Sequence, residues 1–190
     1  MKFTFLGFSA AEMRGAVVIF ILLFLAILIN MNGALRKSRD AQRRSDIQSI
    51  ADSLVAFHED FGFFPQAYEG KIVACDGKLN DTGVPVFSPC DWLYDSLRDS
   101  FDLSYPPYME RIPTDPQHND GARYYYISNG SRFQIYGAYE SDSEPEYKAA
   151  VVARNLPCGD QICNFGRAYS TTPVDRSIEE FESDVNAKRK

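Results

Sequence analysis

The chain has 190 residues, a length that suits one modest folded domain with an anchor and is too short for two domains with large cores. Its formal net charge is −6, but residues 1–44 hold seven basic and two acidic side chains, so the remainder is strongly acidic. An acidic folded part argues against direct nucleic-acid binding, which needs a positive face on the domain. A basic segment beside an acidic body instead fits a membrane-proximal stem that carries a soluble head.

The first predicted element is an apolar helix near the N-terminus. Residues 16–29 are apolar without a break. A helix over residues 8–31 would be about 36 Å long at 1.5 Å per residue, which is enough to span a bilayer. A signal peptide is disfavoured because no small-x-small cleavage motif follows Ile29. The segment therefore predicts a single membrane anchor.

One carboxylate, Glu12, lies at the start of this apolar helix. An acidic side chain near hydrocarbon costs several kcal/mol unless it is paired, so Glu12 is a candidate functional residue. Arg14 lies two residues later and could compete for Glu12 or extend toward lipid headgroups.

An amphipathic stem is predicted to continue the helix over residues 35–61. Neither proline nor glycine interrupts this range, and apolar side chains recur at three- and four-residue steps, with charges on the opposite face. The apolar face consists of Ala41, Ile47, Ile50, Ala51, Leu54, Phe57 and Phe61. We expect one continuous helix of about 50 residues that Gly62 and Pro65 end, with His58 solvated on its surface.

The region after the stem mixes turn residues with one clear hairpin. Residues 66–108 are rich in glycine, proline and aspartate, and predict an irregular loop with a short helix near residues 92–100. Residues 123–128 and 132–138 predict antiparallel strands joined at Asn129-Gly130, a strong hairpin dipeptide. We expect the tyrosines of these strands to pack against the stem.

Four cysteines, Cys75, Cys90, Cys158 and Cys163, follow the apolar helix. An even number in an exported domain predicts two disulfides. Three pairings are possible, and the short sequence separations favour Cys75–Cys90 and Cys158–Cys163. A zinc site is the alternative, but the spacings lack the CxxC of common zinc ribbons and neither histidine is near the cysteines in sequence.

The orientation of the anchor has evidence on both sides. Basic residues cluster just after it, namely Arg36, Lys37, Arg39, Arg43 and Arg44. The positive-inside rule would leave that side cytoplasmic, whereas the cysteines favour export. We expect the folded part to be extracytoplasmic.

The chain begins MKFTFLG and continues FSAAE, so Gly7 precedes Phe8 and Glu12 is the fifth residue counted from Phe8. This N-terminus resembles the prepilin cleavage site of type IV pilins and type II secretion pseudopilins. The resemblance implies that a prepilin peptidase cuts between Gly7 and Phe8 and that the new N-terminus is methylated. It also implies that Glu12 pairs with the N-terminal amine of a neighbouring subunit. The family usually reads FTLIE here and is apolar where this chain has Arg14.

Two further stretches extend the resemblance. The stem of pseudopilins is similar to the stretch RDAQRRSDIQSIADSLVAFHEDFGFFP. A run of the major type II pseudopilin is similar to the later stretch MERIPTDPQHNDGARYYYISNGSRFQIYGAYES. In that protein a turn and antiparallel strands lead to a calcium-binding loop. The resemblance therefore implies a structural calcium site at Glu140, Asp142 and Glu144, with a solvated acidic loop as the alternative.

Together these features predict an α+β protein in which a transmembrane helix continues as a stem packed on a small antiparallel sheet. The expected organisation is a leader over residues 1–7, the transmembrane helix over 8–34, the stem over 35–62, the head over 63–166 and a polar tail over 167–190. A short helix is expected near residues 177–186 of the tail.

The resemblance implies a subunit of a type IV pilus or of a type II secretion-like pseudopilus. Its partners would be copies of itself or related subunits, a prepilin peptidase, an inner-membrane assembly platform and membrane lipid, with no cofactor apart from calcium. The alternative is an uncleaved, membrane-tethered binding or adhesin module. An enzyme is not expected, because the two histidines form no recognisable triad, metal or phosphate-loop motif.

Overall fold

The structure, a computed structural model, describes residues 10–188, except for the side chains of Ala10, Ile29 and Asn30. The fold is α+β, with one long apolar helix followed by small antiparallel sheets, and it matches the pilin-like architecture that the sequence predicts. The chain forms two compact units, one up to Arg39 and the other from Asp40 onward.

Helix α1 spans Ala10–Phe61, so the expectation of one helix from anchor to stem is confirmed. It continues through Gly15 and Gly33, because a glycine weakens a helix by only about 1 kcal/mol relative to alanine. The helix ends as expected at Gly62, whose φ of 76° is rarely adopted by other residues. The Gly62 N–H donates to the His58 carbonyl at 2.8 Å and completes the last turn.

The first sheet lies in the region that we expected to be irregular, and it corrects that expectation. Strands β1 (Gln66–Tyr68), β2 (Lys71–Leu79) and β3 (Pro85–Pro89) form an antiparallel sheet in the order β1-β2-β3. Strand β2 buries Ile72 and Ala74 at alternate positions, as a strand with one covered face does. The glycines and prolines that suggested an irregular loop lie largely at the turns and strand ends.

The helix expected near residues 92–100 is absent, and turns take its place. Leu93 has a φ of 77°, which is incompatible with a helix. Its N–H donates to the carbonyl of Ile112 at 2.7 Å, and the Leu97 N–H donates to the carbonyl of Met109 at 2.9 Å. These backbone groups therefore pair with a distant part of the chain instead of with the preceding turn.

The predicted hairpin is confirmed in the second sheet. Strands β4 (Tyr125–Ser128) and β5 (Phe133–Gly137) pair antiparallel through the Asn129-Gly130 turn, where Gly130 has a φ of 85°. The Asn129 side chain accepts hydrogen bonds from the N–H groups of Ser131 and Arg132 at 3.1 and 3.0 Å. Strand β8 (Phe165–Ala168) pairs with the other edge of β5, so that β5 is central.

The remaining elements are short. Helix α2 spans Ala149–Val152, and strands β6 (Pro157–Cys158) and β7 (Gln161–Ile162) form a two-stranded sheet. Helix α3 spans Ile178–Lys188 and corresponds to the helix expected in the tail. Because β8 runs past residue 166 and Ile178 is buried, the tail is part of the packed head. From here on we use the term head for residues 40–188, the unit that combines the packed part of the stem with the sheets.

The main core lies between the stem and the sheets. Ile47, Ile50, Leu54 and Phe57 of the predicted apolar face are buried, and they belong to one cluster with residues of the first two sheets. Alternate residues of β5 serve opposite faces, with Ile135 in this cluster and Tyr136 in a second cluster around the Cys158–Cys163 pair.

Two residues of the stem depart from expectation. Ala41 is exposed, and the space at that end of the buried face is filled by charged side chains described below. His58 is half-buried, and its ring stacks on Phe64 with centroids 4.3 Å apart, so it is not simply solvated.

Candidate functional site

The predicted assembly element is the apolar segment of α1, which we define as residues 11–34. Every described side chain of this segment is exposed, including Phe20 at 73%. A helix that is apolar on all sides needs a surrounding that buries it, and none of the described residues of its own unit does so. The helix has the length and composition to cross a membrane, a property that it shares with signal sequences. The segment is therefore consistent with a single-pass anchor.

Glu12 lies in the first turn of α1 and is exposed. A negative charge there interacts favourably with the helix dipole, whose positive end is at the N-terminus. Arg14 is also exposed, and residues two apart on a helix do not face each other. The predicted cleavage residues, Gly7 and Phe8, lie outside the described residues.

The four cysteines form the two disulfides that their sequence separations favoured. Cys75 of β2 pairs with Cys90, which follows β3, and Cys158 pairs with Cys163 across the β6–β7 turn. All four side chains are buried. A zinc site would need free thiolates, and the chain has none among these cysteines.

The predicted calcium ligands are placed differently from a ligand set. Glu140 Oε1 accepts a hydrogen bond from Arg43 at 3.0 Å, and Glu144 Oε2 accepts one from Arg44 at 2.6 Å, whereas Asp142 is exposed. Residues 10–188 contain no group of three or more histidine, cysteine or carboxylate side chains arranged to hold a metal. Two of the three predicted ligands thus pair with arginines, and calcium binding stays an untested prediction.

The principal polar site of the head is a buried cluster around Arg43 that sequence reasoning missed. The Arg43 side chain is 0% exposed and all five of its N–H groups have an acceptor. Nε and Nη2 donate to the two carboxylate oxygens of Asp115 at 2.8 and 3.0 Å. Nη1 donates to Asp40 at 2.8 Å and to Glu140 at 3.0 Å, and Nη2 also donates to Gln117 at 2.7 Å.

Backbone groups complete this cluster. The Asp40 carboxylate accepts the N–H groups of Glu140 and Ser141 at 2.9 and 3.2 Å. Burial alone would lower the pKa of Arg43, but the hydrogen bonds and charge of Asp115, with the hydrogen bonds to Glu140 and Asp40, outweigh it and raise the pKa. Arg43 therefore stays charged and joins the stem to two distant loops of the head.

The spacing of the stem carried a signal for this cluster. Asp40 and Arg43 precede Ile47, Ile50 and Leu54 at alternating steps of three and four residues, so they continue the buried face. Buried charges need partners, and the partner Asp115 lies between Pro113 and Pro116 in the chain. Because neither Asp40 nor Arg43 has exposed side-chain surface, the cluster is suited to holding the fold and not to meeting a substrate.

Burial also raises the pKa of two groups near this cluster, Asp46 and Tyr139. Burial raises the pKa of Asp46, the hydrogen bond from the Tyr124 hydroxyl at 2.8 Å opposes this, and the charge of Asp115 adds to it. Burial likewise raises the pKa of Tyr139 to about 12, and its ring stacks on Phe165 with centroids 3.6 Å apart. Of the strand tyrosines expected to pack against the stem, Tyr124 and Tyr126 share its cluster, whereas Tyr125 and Tyr136 belong to the second cluster.

Comparisons with protein-family models, with curated proteins and with solved structures give no significant match. What is shown is a long apolar N-terminal helix followed by small antiparallel sheets, an architecture compatible with pilin-like proteins.

Proposed function

We propose that this protein is a structural subunit of a type IV pilus or of a type II secretion-like pseudopilus. The observation that carries the proposal is the contrast along α1. Its apolar segment has no buried side chain among those described, whereas the stem directly after it belongs to a well-packed head. An apolar helix of this kind can be covered by lipid in a membrane and by the helices of other subunits in a filament.

Assembly would transfer the apolar segment from lipid to a bundle of identical or related helices. Lipid tails are as apolar as leucine, so the hydrophobic effect favours neither state, and close packing and polar pairs decide. In the proposed filament, Glu12 pairs with the N-terminal amine that cleavage before Phe8 creates on a neighbouring subunit. Such a pair forms only at one axial stagger between subunits, which would set the register of the filament.

The proposed partners follow from this pathway. A prepilin peptidase would remove the leader, an inner-membrane platform would extract each subunit from lipid, and further subunits would receive it. The head would lie on the extracytoplasmic side, where the two disulfides form and persist.

The proposal is tested by replacing Glu12. We expect Glu12→Ala to remain in the membrane with a folded head and to form no filaments, because the pair that sets the register is lost. The matched control is Glu59→Ala, which removes an exposed carboxylate from the stem of the same helix. Electron microscopy of sheared surface material measures the filaments. Normal filaments from Glu12→Ala would contradict the assembly role of this residue.

The alternative is a binding module on an uncleaved anchor. It is favoured by the head having a core of its own, which does not depend on assembly. Mass spectrometry of the N-terminal peptide from membranes distinguishes the two functions. A methylated Phe8 supports the filament subunit, and an intact Met1 supports the tethered module.

A further inference from the structure

A groove on the head has the composition of a ligand site that the proposed assembly does not use. Its volume is about 440 Å³, within the range of about 300–1,000 Å³ that is typical of small-molecule sites. It lies between the β1–β2 turn, the residues after Cys90 and the segment that leads into β4. Its lining includes three aromatic side chains, Trp92, Tyr94 and Tyr124.

The aromatic side chains form a wall with one open ring. Tyr124 is buried, and Trp92 packs on it edge-on with ring centroids 6.0 Å apart. Tyr94 is 81% exposed, more than any other large apolar side chain among the described residues. An aromatic ring held in solvent beside a groove is available to stack on a ligand.

The segment that carries Trp92 and Tyr94 is held in place before any ligand arrives. The preceding residue, Asp91, accepts a hydrogen bond from Lys71 of β2 at 2.7 Å, and the Asp91 N–H donates to the Asp95 carboxylate at 2.6 Å. Leu93 has a left-handed backbone conformation, and its N–H donates to the carbonyl of Ile112. A site fixed in this way loses little conformational entropy when a ligand binds.

The charges on the groove balance. Glu69 and Asp91 are acidic, whereas Lys71 and Arg123 are basic, so the lining favours neither anions nor cations. These side chains, with Thr114 and His118, supply both hydrogen-bond donors and acceptors.

Two backbone groups that line the groove are already hydrogen-bonded within the chain. The N–H of Leu93 and the carbonyl of Gly70 already form hydrogen bonds within the chain. A peptide that binds by strand addition needs an open row of such groups. Recognition here therefore falls to side chains.

From this combination we propose that the groove binds a neutral oligosaccharide. The C–H face of a pyranose ring would stack on Tyr94 and Trp92, and its hydroxyl groups would exchange hydrogen bonds with the balanced charges around it. The proposal does not rest on filament assembly, since every residue involved belongs to the head.

The chain offers a direct probe, because Trp92 is its only tryptophan. The full-length protein, in a detergent without a sugar headgroup, is titrated with maltotriose, cellotriose, chitotriose and a galactose trisaccharide. We expect at least one of them to shift the Trp92 emission saturably and to protect it from quenching by acrylamide. Tyr94→Ala should weaken that sugar about tenfold or more, as loss of an aromatic anchor does. Calorimetry with the same sugar gives an independent Kd.

The control is Tyr105→Ala, which removes another exposed tyrosine outside the groove and should leave the affinity unchanged. Three results would overturn the proposal. One is no protection by any of these sugars up to about 10 mM, which is above the Kd of a weak ligand. Another is binding only of sialylated or sulfated sugars or of peptides. The third is equal loss of affinity in Tyr94→Ala and Tyr105→Ala.

Discussion

The apolar segment of α1 and the stem that follows it belong to one helix but differ in which side chains are buried. In the apolar segment, leucine, isoleucine and phenylalanine side chains are exposed on every face. In the stem, the aspartate and arginine at positions 40 and 43 are completely buried. Residue type alone would suggest the reverse, because charged side chains are almost never fully buried unless they are paired.

The contrast shows where each region finds its partners. The buried side chains of the stem have their partners in the same chain. The guanidinium of Arg43, for example, donates five hydrogen bonds to other side chains of this chain. The apolar segment has its apolar side chains open, so its burial depends on lipid or on other subunits. The head is therefore expected to be stable by itself in a way that the apolar segment is not, and substitutions can test this difference.

The largest expected effect comes from neighbouring arginines of the stem. Arg43→Ala leaves the carboxylates of Asp40 and Asp115 buried without their counter-charge, and should cost the head about 3–5 kcal/mol of unfolding free energy. Arg44→Ala should cost at most about 1 kcal/mol, because the Arg44 side chain is 36% exposed and its ion pair is screened by solvent. Urea unfolding of the full-length protein in micelles, followed by Trp92 emission, measures both.

The two arginine variants test directly whether the buried cluster differs from a surface ion pair. Similar costs for the two arginine variants would show that the buried cluster contributes no more than a surface ion pair, and the contrast between stem and surface would be wrong.

A pair of leucines on α1 compares the two regions with identical chemistry. Leu54 is 0% exposed and Leu22 is 61% exposed. Leu54→Ala should destabilise the head by about 2–5 kcal/mol through lost burial and a cavity. Leu22→Ala should leave the unfolding of the head unchanged, because Leu22 has no part in its core. A loss of head stability in Leu22→Ala would refute the independence of the two regions.

The two disulfides lie in the head, so their loss should affect the stability of the head and not the membrane anchoring of the apolar segment. In the chain-entropy account, replacing Cys75 and Cys90 by serine should cost about 3 kcal/mol, because the loop between them is 15 residues. Replacing Cys158 and Cys163 should cost about 2 kcal/mol, because their separation is 5 residues. Chemical unfolding of the two double variants measures these costs. Neither should release the protein from membranes, and release measured by carbonate extraction would contradict the separation of roles.

The smallest expected effect depends on pH. The pKa of Asp46 is raised above 3.8 by burial, so the folded head binds this proton more readily than the unfolded chain. The resulting stability is present below pH 3.8 and is lost as pH rises through the folded pKa. Asp46→Asn should therefore stabilise the head slightly at pH 7, and the gain should shrink as the pH falls. Thermal unfolding at several pH values measures it, with the exposed Asp52→Asn as control; a gain that is independent of pH would contradict the assignment.

Features with a local code were predictable from the chain. The continuous helix up to Phe61, its end at Gly62 and the hairpin at Asn129-Gly130 follow from periodicity, from the absence of breakers and from turn chemistry. The disulfide pairs followed from short separations, since a short loop closes most easily. The assembly role of Glu12 and the cleavage site remain predictions of the same local kind.

Features that join distant segments were not predictable in this way. Arg43 and Asp115 are 72 positions apart, and only packing brings them together and makes burial of both charges tolerable. The sheet of β1 to β3, the stacking of His58 and the aromatic groove also depend on contacts across the fold. Local periodicity thus specified the helix and its apolar face, but long-range packing determined which charges the head buries and which aromatic rings it leaves exposed.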